Sequence, residues 1–194
     1  MDFGSIIVSL LRLIVPVSIL RYPLGGFVAS LALDSFDGPL VDIIGRRGAL
    51  FGGGFIDYHL LDKRLDLYYL FFAFLASLRW QNTLYRRTAI SLFSIRFLGI
   101  ILFSLTNFRA ILFFFPNIFE FFYLYYLVFK RWFPRFLPNS FPKLLIILIF
   151  LAIPKLFGEY FLHIRQLKLG EIINLLTPFK IPAPTIWEWI KTIF

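Results

Sequence analysis

Long apolar runs, separated by short polar or glycine-rich breaks, make up most of this chain. The runs extend over residues 5–20, 25–42, 58–80, 88–106, 109–129 and 143–162. They are continuous and lack the two-residue alternation of membrane barrel strands. A hydrocarbon core of about 30 Å takes roughly 20 apolar residues per helix, so the pattern predicts an all-α integral membrane protein with about six transmembrane helices.

The pattern changes after the sixth run. Residues 165–194 contain the stretches QLKLGEIINLL and IPAPTIWEWIKTIF, which are amphipathic and carry Trp187 and Trp189. Tryptophans and cations on such segments are typical of the headgroup level of a bilayer. The sequence therefore predicts two parts, a six-helix transmembrane domain over 1–164 and a C-terminal interfacial amphipathic tail over 165–194.

The composition supports a membrane protein, and the placement of its charges indicates which class of partner the cations contact. The chain of 194 residues is 59% hydrophobic and 16% charged, whereas soluble domains average about 25% charged residues. Its net charge of +9 comes from cations placed mostly at the ends of apolar runs. This placement indicates interfacial anchors that contact membrane lipids, and it does not indicate nucleic-acid binding. The absence of cysteine excludes disulfides, thiolate metal sites and a cysteine nucleophile.

The aspartates are concentrated in one stretch. Except for Asp2, every aspartate lies between Asp34 and Asp66, and carboxylates near hydrocarbon depth are costly unless they serve a site. On helices, Asp34 shares a face with Asp37, and Asp62 shares one with Asp66. If the two helices are antiparallel neighbours, the four carboxylates converge, and a divalent cation would hold them together.

A structural interpretation stands beside this one. The same aspartates could be charges at helix ends that pair with nearby cations, namely Arg46, Arg47, Lys63 and Arg64. Two pairs at helical spacing on adjacent runs favour a shared cation site over that alternative. Two further pairs are expected inside the bundle for structural reasons, Arg96 with Glu120 and Lys155 with Glu159.

The stretch LALDSFDGPL followed by LLDKRLDLYYL resembles the signature of the CDP-alcohol phosphotransferase family, D-x2-D-G-x2-A-R, a spacer, then G-x3-D-x3-D. Asp34 to Gly38 matches the first half, and Asp62 to Asp66 matches the final D-x3-D. Arg12, followed four residues later by a proline, and a motif on the second and third spans are also similar to this family. The resemblance covers roughly residues 8–75.

The chain departs from the family pattern at three places. Val41 and Asp42 stand where the signature has Ala-Arg, Tyr58 stands where it has Gly, and the spacer is longer. A second alignment through Gly53 and Asp57 recovers the glycine but loses the last aspartate. We prefer the first because it alone provides two carboxylates four residues apart.

The resemblance implies a reaction and its site residues. The reaction would transfer a phosphatidyl or related phosphoryl group from a CDP-linked donor to a small alcohol, with release of CMP, and would depend on Mg²⁺ or Mn²⁺. Four carboxylates would hold the metal ions: Asp34, Asp37, Asp62 and Asp66. Asp66 would also be the general base, Gly38 would let substrate approach the backbone, and Arg46 or Arg47 would replace the missing arginine.

Two other functions remain open from the sequence. The departures from the signature are also those expected of a non-catalytic membrane subunit that keeps the fold and binds a lipid or a partner protein. The acidic stretch could instead serve an ion-coupled carrier, although the chain has no internal repeat. A homodimer or a larger membrane complex is compatible with each.

Overall fold

The computed structural model of this protein describes residues 10–44, 58–108 and 110–160, with the backbone alone for residues 35–44, 58–64 and 159. Within these residues every regular element is helical, as the sequence predicted. The N-terminal helix, Leu10–Leu20, comes first and takes the 3₁₀ form over Val15–Leu20. The helices that follow are α1 Pro23–Ile44, α2 Tyr58–Ser77, α3 Thr83–Thr106, α4 Ala110–Phe114, α5 Ile118–Trp132 and α6 Phe141–Glu159, with a short 3₁₀ turn at Pro134–Phe136.

Three helical stretches of the described chain are long and apolar enough to cross a membrane. They are Thr83–Thr106, Ala110–Trp132 and Phe141–Gly158. These support association with a membrane. Three shorter apolar helices precede them, Leu10–Leu20, Pro23–Asp34 and Leu65–Ser77.

The three shorter helices coincide with the first three predicted spans. α1 and α2 are each about 30 Å long at 1.5 Å per residue, and the side chains of residues 35–44 and 58–64 in these helices lie outside the described part of the structure. The six-span layout therefore stays a prediction. The predicted interfacial tail lies outside the described residues.

The fifth predicted run, 109–129, is interrupted. α4 ends at Phe114, and α5 begins at Ile118 after Pro116. Proline lacks a backbone N–H and so favours a helix boundary. Asn117 caps the new helix, because its Oδ1 accepts a hydrogen bond of 3.4 Å from the backbone N–H of Glu120.

Helix α5 lies at the centre of the bundle and contacts α1, α2, α3 and α6. Its buried stripe consists of aromatic residues at helical spacing: Phe119, Phe122, Tyr123 and Tyr126. The ring of Phe27 on α1 lies 4.6 Å from that of Tyr123, and the ring of Trp80 lies 4.1 Å from that of Tyr126. Each such pair contributes about 0.5–1.5 kcal/mol beyond the area it buries. Aromatic side chains in contact with one another thus form much of the core.

Two glycines permit close backbone packing. A Cβ added to Gly26 of α1 would lie 2.6 Å from Ile19 N of the 3₁₀ helix, and one added to Gly99 of α3 would overlap Phe115 Cβ. Small residues allow helices to approach closely where lipid provides no hydrophobic drive for association. Gly26 therefore lets the N-terminal helix lie directly against α1.

Helix α6 is peripheral. Its Leu144 is buried against the core, but most of its apolar side chains are exposed, including Ile146, Ile149, Phe150 and Ile153. A contiguous apolar face of this kind is unusual on a soluble monomer. It is the surface expected of a helix that contacts lipid tails.

Candidate functional site: a buried arginine between two aspartates

Asp34 and Asp66 lie together around one arginine. Arg12 Nη2 forms an ion pair with Asp34 Oδ1 and lies 3.5 Å from Asp66 Oδ1. The side chains of Arg12 and Asp66 are 7% and 9% exposed, and that of Asp34 is 22% exposed. The first and last aspartates of the sequence motif, 32 residues apart, therefore belong to one buried cluster.

Three elements position this cluster. Arg12 lies on the N-terminal helix, Asp34 on α1 and Asp66 on α2. The phenol of Tyr68 on α2 donates a hydrogen bond of 3.1 Å to Leu13 O, which attaches α2 to the residue next to Arg12. The close approach at Gly26 holds the same N-terminal helix against α1. Packing of all three elements is thus needed to bring the charges together.

The cluster lies far from either end of its helices. Asp34 is 11 residues after Pro23, the first residue of α1, and Asp66 is 11 residues before Ser77, the last residue of α2. At 1.5 Å per residue, each carboxylate lies about 16 Å from that helix end. If α1 and α2 cross a hydrocarbon core of about 30 Å, as the sequence predicts, the cluster lies well inside it. Ionisable residues at such depth are costly and usually belong to a site.

The remaining predicted site residues are described in part or not at all. Asp37 and Gly38 lie within the helical backbone of α1, and Asp62 lies within that of α2. Their side chains lie outside the described part of the structure, as do Arg46 and Arg47 altogether. The structure thus brings Asp34 and Asp66 together, and the roles of the other five residues stay predictions.

The donor chemistry of the described pair fits a hard divalent cation, because carboxylate oxygens are the ligands that Mg²⁺ and Mn²⁺ prefer. Among the described side chains, no three from His, Asp or Glu form a group that could hold a metal ion. Asp34 and Asp66 would supply two ligands. Asp37 and Asp62 are the residues that would complete the set.

A second buried polar centre surrounds Glu120 on α5. Its Oε2 accepts hydrogen bonds from Asn117 Nδ2 at 2.7 Å and from Tyr69 Oη at 3.2 Å, and Lys155 Nζ lies 3.4 Å away. Glu120, Asn117 and Tyr69 are all buried. These contacts join α2, α5 and α6, and they satisfy a carboxylate that would otherwise be costly to bury.

This centre differs from the predicted pairing. The sequence indicated that Glu120 would pair with Arg96, whereas the structure places Lys155 beside Glu120. Arg96 Nη1 donates a hydrogen bond of 3.0 Å to Phe115 O. Lys155, which was expected to pair with Glu159, is turned toward α5 and also lies 5.2 Å from the ring centroid of Phe121. The side chain of Glu159 lies outside the described residues.

Sequence reasoning missed the partners of these carboxylates. Arg12 entered only through the family resemblance, and Tyr69 and Asn117 were not singled out. A signal was present for Arg12, because an arginine within an apolar run requires an anionic partner. No sequence feature near Tyr69 distinguishes it from the neighbouring Tyr68. Which of the two tyrosines contacts Glu120 depends on which face of α2 packs against α5.

No protein-family model matches this sequence, and no curated protein and no solved structure matches it either.

Proposed function

We propose that this chain is a multi-pass integral membrane enzyme of the CDP-alcohol phosphotransferase type. It would transfer a phosphatidyl or related phosphoryl group from a CDP-linked lipid to a small alcohol, with release of CMP. The observation that carries the proposal is the meeting of Asp34 and Asp66 at Arg12. These are the outermost aspartates of the motif, and they come from two different helices.

Each predicted site residue would have its own role in the transfer reaction. Asp34, Asp37 and Asp62 would hold Mg²⁺ or Mn²⁺, which when bound neutralises the diphosphate of the donor. Asp66 would accept the proton of the alcohol while the alcohol oxygen bonds to the phosphorus of the transferred group. The bond from that phosphorus to the bridging oxygen breaks, and CMP leaves with the electron pair. Gly38 and Arg46 or Arg47 would contact the donor.

Arg12 adds a role that the motif does not contain. Its guanidinium compensates the charge of two carboxylates that would otherwise repel each other in a medium of low dielectric constant. This compensation lets Asp34 and Asp66 stay close together before any substrate or metal binds. Arg12 is accordingly a positioning residue in this proposal.

The same ion pairs favour a second candidate function. An arginine that binds two aspartates can serve simply to fasten three helices, which is what a non-catalytic membrane subunit would require. The substitution of Val41 and Asp42 for the Ala-Arg of the signature favours this candidate too. The two candidates differ in whether Asp66 is needed for turnover or only for stability.

The test is CMP release from CDP-diacylglycerol by the purified full-length protein, with Mg²⁺ or Mn²⁺ and a panel of alcohols. Asp66→Asn and Asp37→Asn are compared with wild type. Asp2→Asn is the matched control, since it changes the one aspartate outside the acidic stretch. We expect metal-dependent release that falls at least about 100-fold in both site variants and is unchanged in the control.

Thermal melting of each variant separates the candidates. Loss of release by variant protein that is still folded at the assay temperature supports the enzyme. No metal-dependent release from folded wild-type protein rejects it in favour of the non-catalytic subunit.

A further inference from the structure

Two connections of the helical bundle meet at one end. Residues 78–82 join α2 to α3, and residues 133–140 join α5 to α6. Tyr85 Oη, at the start of α3, donates a hydrogen bond of 2.9 Å to Pro138 O in the second connection. The ring of Trp80, in the first connection, packs 4.1 Å from that of Tyr126. The side chains of both connections therefore contribute to a single surface.

This surface is densely cationic. We call it the cationic end, and define it by Arg79, Arg86, Arg87, Lys130, Arg131 and Arg135. All six are exposed except Arg86, which is half-buried. Within the described residues, no carboxylate lies within 4.0 Å of any of them. Between residues 67 and 158 the sequence has one acidic residue, Glu120, and it is buried in the core. The positive charge is therefore not balanced by neighbouring carboxylates of these helices.

Exposed aromatic rings lie among these cations. Trp132 is 55% exposed and Phe136 is 71% exposed, and both belong to the end of α5 and its connection. The Arg131 guanidinium lies 5.6 Å from the ring centroid of Trp132. Large apolar rings beside cations are unfavourable in water but stable at the boundary between acyl chains and headgroups. This combination distinguishes the surface from a purely electrostatic one.

The helices beside the cationic end indicate its depth relative to the membrane. α3 begins beside it, α5 ends beside it, and α6 begins just beyond it, and each of these helices belongs to a stretch apolar enough to cross a membrane. The cations consequently lie at the level where phospholipid phosphates lie. A nucleic acid would meet the same charges, but it would not cover the exposed rings with hydrocarbon.

We propose that the cationic end binds the phosphate-bearing headgroups of anionic phospholipids through its six cations, with Trp132 and Phe136 inserted among the acyl chains. This binding is independent of the proposed transferase activity, because the surface lies about 16 Å along α2 from Asp66. The bound lipid would hold the α2–α3 and α5–α6 connections together.

The test titrates phosphatidylglycerol or phosphatidylcholine into the purified full-length protein in detergent and counts bound lipids by native mass spectrometry. The site variant is Lys130→Gln, Arg131→Gln and Arg135→Gln in one chain. The control variant, Lys130→Arg, Arg131→Lys and Arg135→Lys, changes the same three side chains and keeps their charge. Arg135→Gln alone provides a milder change in an exposed connection if the triple variant does not fold.

We expect wild type and control to prefer phosphatidylglycerol, and the Kd for that lipid to rise at least about tenfold in the triple variant and up to about fivefold in Arg135→Gln. The preference should weaken as salt increases, since the cations are exposed. Equal affinity for the two lipids in wild type, or an unchanged Kd in both site variants, overturns the proposal. Displacement of phosphatidylglycerol by an RNA oligonucleotide assigns the surface to nucleic acid instead.

Discussion

Tyr69 Oη donates a hydrogen bond to Glu120 Oε2 over 3.2 Å, and this bond joins α2 to the central helix α5. Tyr69 follows Asp66 by three residues, so the two side chains lie on the same side of α2. One face of α2 therefore reaches two buried polar centres, one around Arg12 and one around Glu120. The rotation of α2 about its axis is set by both, and a small rotation would break contacts in each.

Loss of the arginine should destabilise the protein strongly. Arg12→Gln leaves Asp34 and Asp66 close together and buried without their guanidinium, and breaking a buried pair in this way costs about 3–5 kcal/mol. Thermal melting in detergent measures the effect, with the exposed Arg87→Gln as control. Adding Asp34→Asn to Arg12→Gln should recover part of the loss, because it removes one of two carboxylate charges that lie close together. Equal melting temperatures for Arg12→Gln and Arg87→Gln would contradict the assigned ion pairs.

The two neighbouring tyrosines of α2 should respond differently to the same substitution. Tyr69→Phe removes a buried hydrogen bond to a carboxylate and should cost about 1.5–3 kcal/mol. Tyr68→Phe removes the more exposed bond to Leu13 O and should cost about 1 kcal/mol or less. Both variants lose one hydroxyl, so chemical denaturation in detergent compares them directly. A larger loss for Tyr68→Phe would mean that α2 is rotated from the position described.

Two glycines provide a matched test of close packing. Gly99→Ala forces a methyl group onto Phe115 and should cost about 1–3 kcal/mol. Gly158→Ala meets no atom within 4 Å, and in a helix it should be neutral or stabilising by up to about 1 kcal/mol. Melting temperatures of the two variants should therefore move in opposite directions or differ clearly. If Gly99→Ala is as stable as Gly158→Ala, α3 and Phe115 are farther apart than the structure has them.

Labelling with a membrane-impermeant maleimide tests the arrangement of the spans, and the absence of native cysteines makes single-cysteine variants unambiguous. Gln81→Cys and Asn139→Cys lie in the two connections that meet at the cationic end, so both should label from the same side. Phe108→Cys lies beyond the far end of α3, which is about 36 Å long. It should label from the opposite side. Labelling of Gln81→Cys and Asn139→Cys from different sides would refute the described bundle.

Much of the fold could be predicted from local pattern. The run over 88–106 and the run over 143–162 both correspond to helices, and the break before Glu120 follows from Pro116 and Asn117, although it was not anticipated. The local sequence pattern was sufficient to predict these helices, because the hydrogen bonds of a helix join residues close in sequence. The length of its apolar stretch likewise depends only on the residues within it.

The sequence by itself also determined that the carboxylates gather in one stretch and that the helices carrying them are neighbours along the chain. Only the tertiary structure decided which cation each carboxylate meets. Arg12 reaches both Asp34 and Asp66, and Lys155, not Arg96, lies beside Glu120, although 35 residues separate that pair. The physical reason is that an ion pair depends on the rotation and depth of two packed helices. Spacing within one helix fixes which residues share a face, but not which neighbour that face meets.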